Sequence, residues 1–209
     1  MKKVLGSLLV FCLTGVIFGQ SVKSSLVVTK VEKLASGNYA ITLNDVITIK
    51  DIKVTTTKIG QREIVNLKFP EYVSKRGKVF PQVSVVNKDL MDKMGLAISQ
   101  NKIEKLSTPK EPSFKISKFS YYKRSKSSLR VFAAVVFDES IEIECKVMEG
   151  KRGPWISWPA KKDTSTGKYI KQVLFNSKEL QNRVEQQLIE KYNISKQSGS
   201  STSYSNDEE

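Results

Sequence analysis

"RGKVFPQVSVVNKDLMDKM" (residues 76–94) lies over "TGKYIKQVLFNSKELQNRV" (residues 166–184) at a constant offset, with Gly77 on Gly167, Val83 on Val173 and Leu90 on Leu180. Self-similarity of this kind marks a duplicated structural unit. The match continues upstream: "IKDIKV" (49–54) lies over "IECKV" (143–147), Pro70 over Pro159, and "VTKV" (28–31) over "ISKF" (116–119). The same order of elements occurs twice.

In the second copy, "LRVFAAVVF" (129–137) and "SIEIECKVM" (140–148) are rich in β-branched and aromatic residues and meet at Asp138 and Glu139, which predicts a hairpin. Ile141, Ile143, Cys145 and Val147 alternate with Glu142, Glu144 and Lys146, so one face is apolar and the other wet. The first copy has the equivalent hairpin in "YAITL" (39–43) and "VITIKDIKV" (46–54), turning at Asn44 and Asp45. There Ile47 and Ile49 are out of phase with Ile52 and Val54, which predicts a β-bulge at Lys50 and Asp51. A third strand follows in each copy, before Pro70 and before Pro159, and the proline closes it because it has no N–H to donate. Strand phase turns Trp158 to the core. It turns Trp155 to the opposite face, where either the other repeat or a ligand is expected to cover it.

The second copy ends in "NSKELQNRVEQQLIEKYN" (176–193), with Leu180, Val184, Leu188 and Tyr192 four apart and Asn176 or Ser177 available as a cap, an amphipathic helix over the sheet. Its counterpart, "NKDLMDKMGLAI" (87–98), is expected to be clipped or bent at Gly95. The fold class is therefore α+β. Two tandem small domains, 25–106 and 114–193, each form an antiparallel sheet with a C-terminal helix and are expected to pack as an intramolecular pseudo-dimer. "STPKEPS" (107–113) is the linker between them, and residues 194–209 lack the apolar content of a folded segment and are expected to be a disordered tail.

"MKKVLGSLLVFCLTGVIFGQS" (1–21) has a basic start, an apolar run from Val4 to Gly19 and a small-residue exit, the pattern of a secretory signal peptide over residues 1–20. The run is short for a membrane span. Export to the periplasm or cell envelope is the leading expectation; a cytoplasmic chain, or one anchored by residues 4–19, is the alternative. A lipoprotein site at Cys12 is disfavoured by the bulky Phe11 before it. Without the signal only Cys145 remains, so no intrachain disulfide forms.

Thirty-five Lys and Arg stand against 21 Asp and Glu, and the excess of positive charge belongs to the folded part, which favours polyanionic partners. The chain has no histidine, which removes Ser-His and Cys-His nucleophile pairs and His-ligated metals. No Gly-rich phosphate loop follows a strand, and Asp138 with Glu139 are turn formers rather than an acid/base pair. A non-enzyme with neither cofactor nor metal is expected. The candidate binding residues are the basic clusters after each proline, Lys161, Lys162 and Lys168 in one copy and Lys75, Arg76 and Lys78 in the other, with Trp155 as a stacking ring.

The second copy resembles the septation protein SpoVG family. The resemblance rests on "IECKVMEGKRGPWISWPAKKDTSTGKY" (143–169) and the helix after it and spans residues 114–193; the first copy resembles the family more loosely through "ITIKDIKV", "LKFP" and "RGKVF". The resemblance implies a small dimer-forming α+β domain that binds DNA or RNA and influences septum formation and gene expression, with its basic loop on Lys161 and Lys162. The family's His-Asp pair on the second strand is Lys50-Asp51 in one copy, and only Glu144 remains in the other. The alternative function is an exported envelope scaffold or protein-interaction module that has lost nucleic-acid binding.

Overall fold

The computed structural model describes residues 23–60, 62–122 and 127–197. The expected signal peptide and residues 198–209 of the expected tail lie outside the described residues.

In chain order the first repeat comprises β1 (Val28–Lys33), β2 (Tyr39–Leu43), β3 (Ile47–Ile59), β4 (Arg62–Lys68), β5 (Glu71–Val73), β6 (Val79–Pro81), β7 (Val83–Val85) and α1 (Lys88–Gln100). The second comprises β8 (Phe114–Tyr121), β9 (Leu129–Phe137), β10 (Ile141–Gly150), β11 (Gly153–Ser157), β12 (Ala160–Lys162), β13 (Tyr169–Lys171), β14 (Val173–Phe175) and α2 (Lys178–Gln197). The fold is α+β, with antiparallel sheets and two helices.

The two central hairpins turn where the sequence predicts. Asn44 and Asp45 have φ of 52° and 60°, and Asp138 and Glu139 have 43° and 49°. Two successive positive-φ residues make the tight turn whose twist suits a two-residue hairpin, and short Asn and Asp side chains tolerate it. The bulge also lies where expected. Ile41 faces Ile49 but Tyr39 faces Ile52, so β3 fits an extra residue between them, and Asp51 takes φ 60° to do so.

The three-residue strands are not legible as such in the sequence, and they determine how the repeats connect. β14 belongs to the second repeat but pairs with β3, Val173 facing Ile49 and Phe175 facing Ile47. β7 belongs to the first repeat but pairs with β10, Val83 facing Ile143 and Val85 facing Ile141. Flanking backbone bonds repeat the pattern: the Lys50 N–H donates to the Gln172 carbonyl at 2.7 Å and the Glu144 N–H to the Gln82 carbonyl at 2.9 Å. Each five-stranded sheet thus holds one strand from the other repeat. The boundaries 25–106 and 114–193 divide the chain by sequence repeat, not by sheet.

The helices return to their own repeats, α1 against β1 and β4, α2 against β10 and β11. One continuous core results, in which Ile41, Ile49, Leu90 and Met94 join Val147, Val173, Leu180 and Leu188. α1 continues through Gly95, where the sequence predicts a clipped or bent helix. It runs on to Gln100 because Leu90, Met94 and Ala97 are buried on one side, and it ends at Asn101, whose left-handed φ of 52° caps it. It is still shorter than α2. α2 continues past the expected end at 193 to Gln197, held by Lys196, which pairs with Glu149 at 2.7 Å. Ser177, rather than Asn176, caps α2 by accepting from the Leu180 N–H at 3.1 Å.

The linker is strapped down. Lys110 exchanges hydrogen bonds with Asn44 of the first hairpin turn, and Glu111 pairs with Arg183 at 2.5 Å and accepts from the Ser177 hydroxyl.

Candidate nucleic-acid interface

The basic segments after Pro70 and Pro159 are ribbons, not the loops the sequence suggested. β5 pairs with β6, and β12 with β13, each as a separate two-stranded sheet. Each ribbon is closed at its base in the same way: the Gln82 N–H donates to the Pro70 carbonyl at 2.9 Å, and the Gln172 N–H to the Pro159 carbonyl at 2.8 Å. Gly77 (φ 79°) and Gly167 (φ 68°) make the tips possible, since a residue with a Cβ is strained there. The second tip is further ordered by Asp163, whose carboxylate accepts from the Ser165 hydroxyl and from the Ser165 and Thr166 N–H groups. These bonds hold its pKa below the usual carboxylate range.

These two arms carry the predicted cations. Lys161 and Lys162 lie on β12 and Lys168 just before β13; Lys75, Arg76 and Lys78 occupy the tip of the first arm, and all six are exposed. Lys161, Lys162 and Lys168 make no ion pair among the described residues. The arms also expose apolar surface, Tyr72 and Phe80 on one and Tyr169 and Ile170 on the other. Tyr72 and Phe80 face each other across the first arm, with ring centroids 6.2 Å apart, and Lys78 sits 5.3 Å over the Phe80 ring. Lys146 of β10 sits 5.5 Å over Tyr72, so the first arm lies against the second repeat's sheet. These rings were missed in the sequence because each stands alone between turn formers, without a periodic strand around it.

The two tryptophans separate as strand phase predicts. Trp158 is buried, packs 4.7 Å from Phe175, and donates from Nε1 to Glu185 at 2.7 Å. Trp155 is 50% exposed, so the other repeat does not cover it. Glu149 anchors the C-terminal end of α2 to the sheet. It pairs with Arg130 at 2.8 Å and Lys196 at 2.7 Å and accepts from the Tyr192 hydroxyl at 3.1 Å, and these partners lower its pKa to about 2. Burial pushes the Cys145 thiol up to about 12.

No group of three or more acidic or cysteine side chains is placed to hold a metal among the described residues. No helix among them is long and apolar enough to cross a membrane. With strand order, paired arms and C-terminal helix in place, comparison with protein families gives one assignment. Residues 114–194 match the SpoVG family model. The SpoVG match covers the second repeat, and the resemblance of the first repeat is outside it. Comparison with curated proteins and with solved structures gave no match.

Proposed function

We propose that this chain is a non-catalytic regulatory protein that binds nucleic acid through its two basic arms, its tandem repeats acting as an intramolecular pseudo-dimer. The observation that carries the reading is the recurrence of a cationic, apolar-tipped ribbon at the same place in both repeats, one within the segment that matches SpoVG. The phosphate backbone supplies affinity to such a surface through release of counterions. The reciprocal pairing of β7 with β10 and β14 with β3 supports the pseudo-dimer, since two chains of a dimer-forming domain can exchange strands in the same way. The test is retention of single-stranded and duplex oligonucleotides at two salt concentrations. Affinity should fall steeply with salt, and no retention at low salt counts against nucleic acid.

The signal-like residues 1–21 favour a second reading, an exported protein of the cell envelope whose partner is another anionic polymer. The mass of the N-terminus of the cellular protein, measured with fractionation, separates the two. A cleaved, extracytoplasmic form supports the envelope reading.

A further inference from the structure

We infer that the outer face of the second repeat's sheet is a stacking platform for single-stranded nucleic acid, formed by Phe132, Trp155 and Lys146 and flanked by Tyr72 and Tyr169 from the two arms; this rests on the nucleic-acid reading above. Register places the floor on one face. Phe132 faces Lys146, Lys146 faces Ser157, and Met148 faces Trp155, while Val131, Val147 and Ile156 face the core. Phe132 is 37% exposed and Trp155 50%. Two further rings stand at the edges of this floor. Tyr72 meets the Lys146 ammonium, and Tyr169, 72% exposed, lines with Phe132 and Lys146 a cleft of about 120 Å³.

The first repeat provides an internal control. Its sheet has the same topology, but Asn66 and Thr55 occupy the places of Trp155 and Met148, and the paired Thr42 and Thr48 hydroxyls lie on its outer face. The fold therefore does not require a ring at the Trp155 position.

Charge complementarity selects the occupant. Lys146 stands among the rings and Lys161, Lys162 and Lys168 rise on the arm beside them, while the one carboxylate lining the cleft, Glu144, is paired with Lys118 at 3.5 Å. Flat apolar faces interleaved with cations fit a strand that offers unpaired bases and phosphates together. A duplex hides its base faces and meets only the cations.

The test measures oligo(dT) and a duplex of equal length against the full chain and its variants. Trp155→Ala is expected to weaken oligo(dT) binding by about tenfold with duplex binding unchanged, and Trp155→Phe to restore it. Phe132→Leu, which keeps an apolar residue on the strand, should also weaken the single strand selectively. If Trp155→Ala and Phe132→Leu bind oligo(dT) like the parent while Lys161→Glu/Lys162→Glu loses both ligands, the platform is overturned and the basic arms stand. If neither ligand is retained at low salt, or only an anionic polysaccharide is, the nucleic-acid reading fails and the platform with it.

Discussion

Gln172, in the second repeat, donates from its side-chain amide to the Asp51 carboxylate of the first at 3.2 Å, and its backbone carbonyl accepts from the Lys50 N–H. The bulge in the first sheet is thus held from outside its own repeat, by a glutamine only 6% exposed. A double-mutant cycle between Gln172→Ala and Asp51→Gly should give a coupling energy of about 1 kcal/mol in denaturant unfolding. Strict additivity would mean that the contact contributes nothing.

The exchanged strands should make the repeats unfold together. Val173→Ala removes packing in a strand whose partner is Ile49, so hydrogen exchange should accelerate at the Lys50 amide as well as in the second repeat. A chain cut by protease between Lys105 and Ser107, before the strapped residues Lys110 and Glu111, should run as one particle on gel filtration. Separation of the halves would show that the exchange does not hold them.

Glu149 makes stability depend on acid. Its pKa is lowered to about 2 from an ordinary value of 4.5, so its contribution is fully present above pH 4.5 and is lost as pH falls toward 2. Its magnitude is about 1–2 kcal/mol once partial solvent exposure is allowed for. Glu149→Gln should lower the urea midpoint at pH 7 and flatten its decline between pH 4.5 and 2. An unchanged pH profile would remove Glu149 as its source.

Cys145, 3% exposed and with its thiol pushed up to about 12, should resist alkylation at pH 8 while the protein is folded and react at the rate of unfolding. Peptide mapping distinguishes it from Cys12. Rapid labelling of the folded chain would contradict the burial.

Reversing charge on one arm tests whether the two act together. Lys161→Glu/Lys162→Glu and Lys75→Glu/Lys78→Glu should each weaken polyanion binding and reduce its dependence on salt, and the combined variant should lose most of it. Equal affinity in all three would place the site off the arms.

Much of this fold was legible in the chain. Asn44-Asp45 and Asp138-Glu139 marked the turns, the phase slip between Ile49 and Ile52 marked the bulge, and Leu180, Val184, Leu188 and Tyr192 marked the buried side of α2. The destination of β7 and β14 was not, because side-chain alternation says which face is buried and nothing about which neighbouring edge supplies the backbone partners. At Gly95 the intrinsic helix cost of about 1 kcal/mol is outweighed by the buried Met94 and Ala97 beside it, and α1 runs on to Gln100. In the candidate site the cations could be read from the sequence. The rings at Tyr72, Phe132 and Tyr169 could not, since their relation to Lys146 exists only after the arms fold back over the sheet.

Strand exchange also bears on synthesis. The edge of β3 from Ile47 to Ile49 receives its last partner only when Val173–Phe175 arrives, so a nascent chain carries an unfinished sheet until nearly all of it has left the ribosome. Until then the open β3 edge is a template on which another chain can pair.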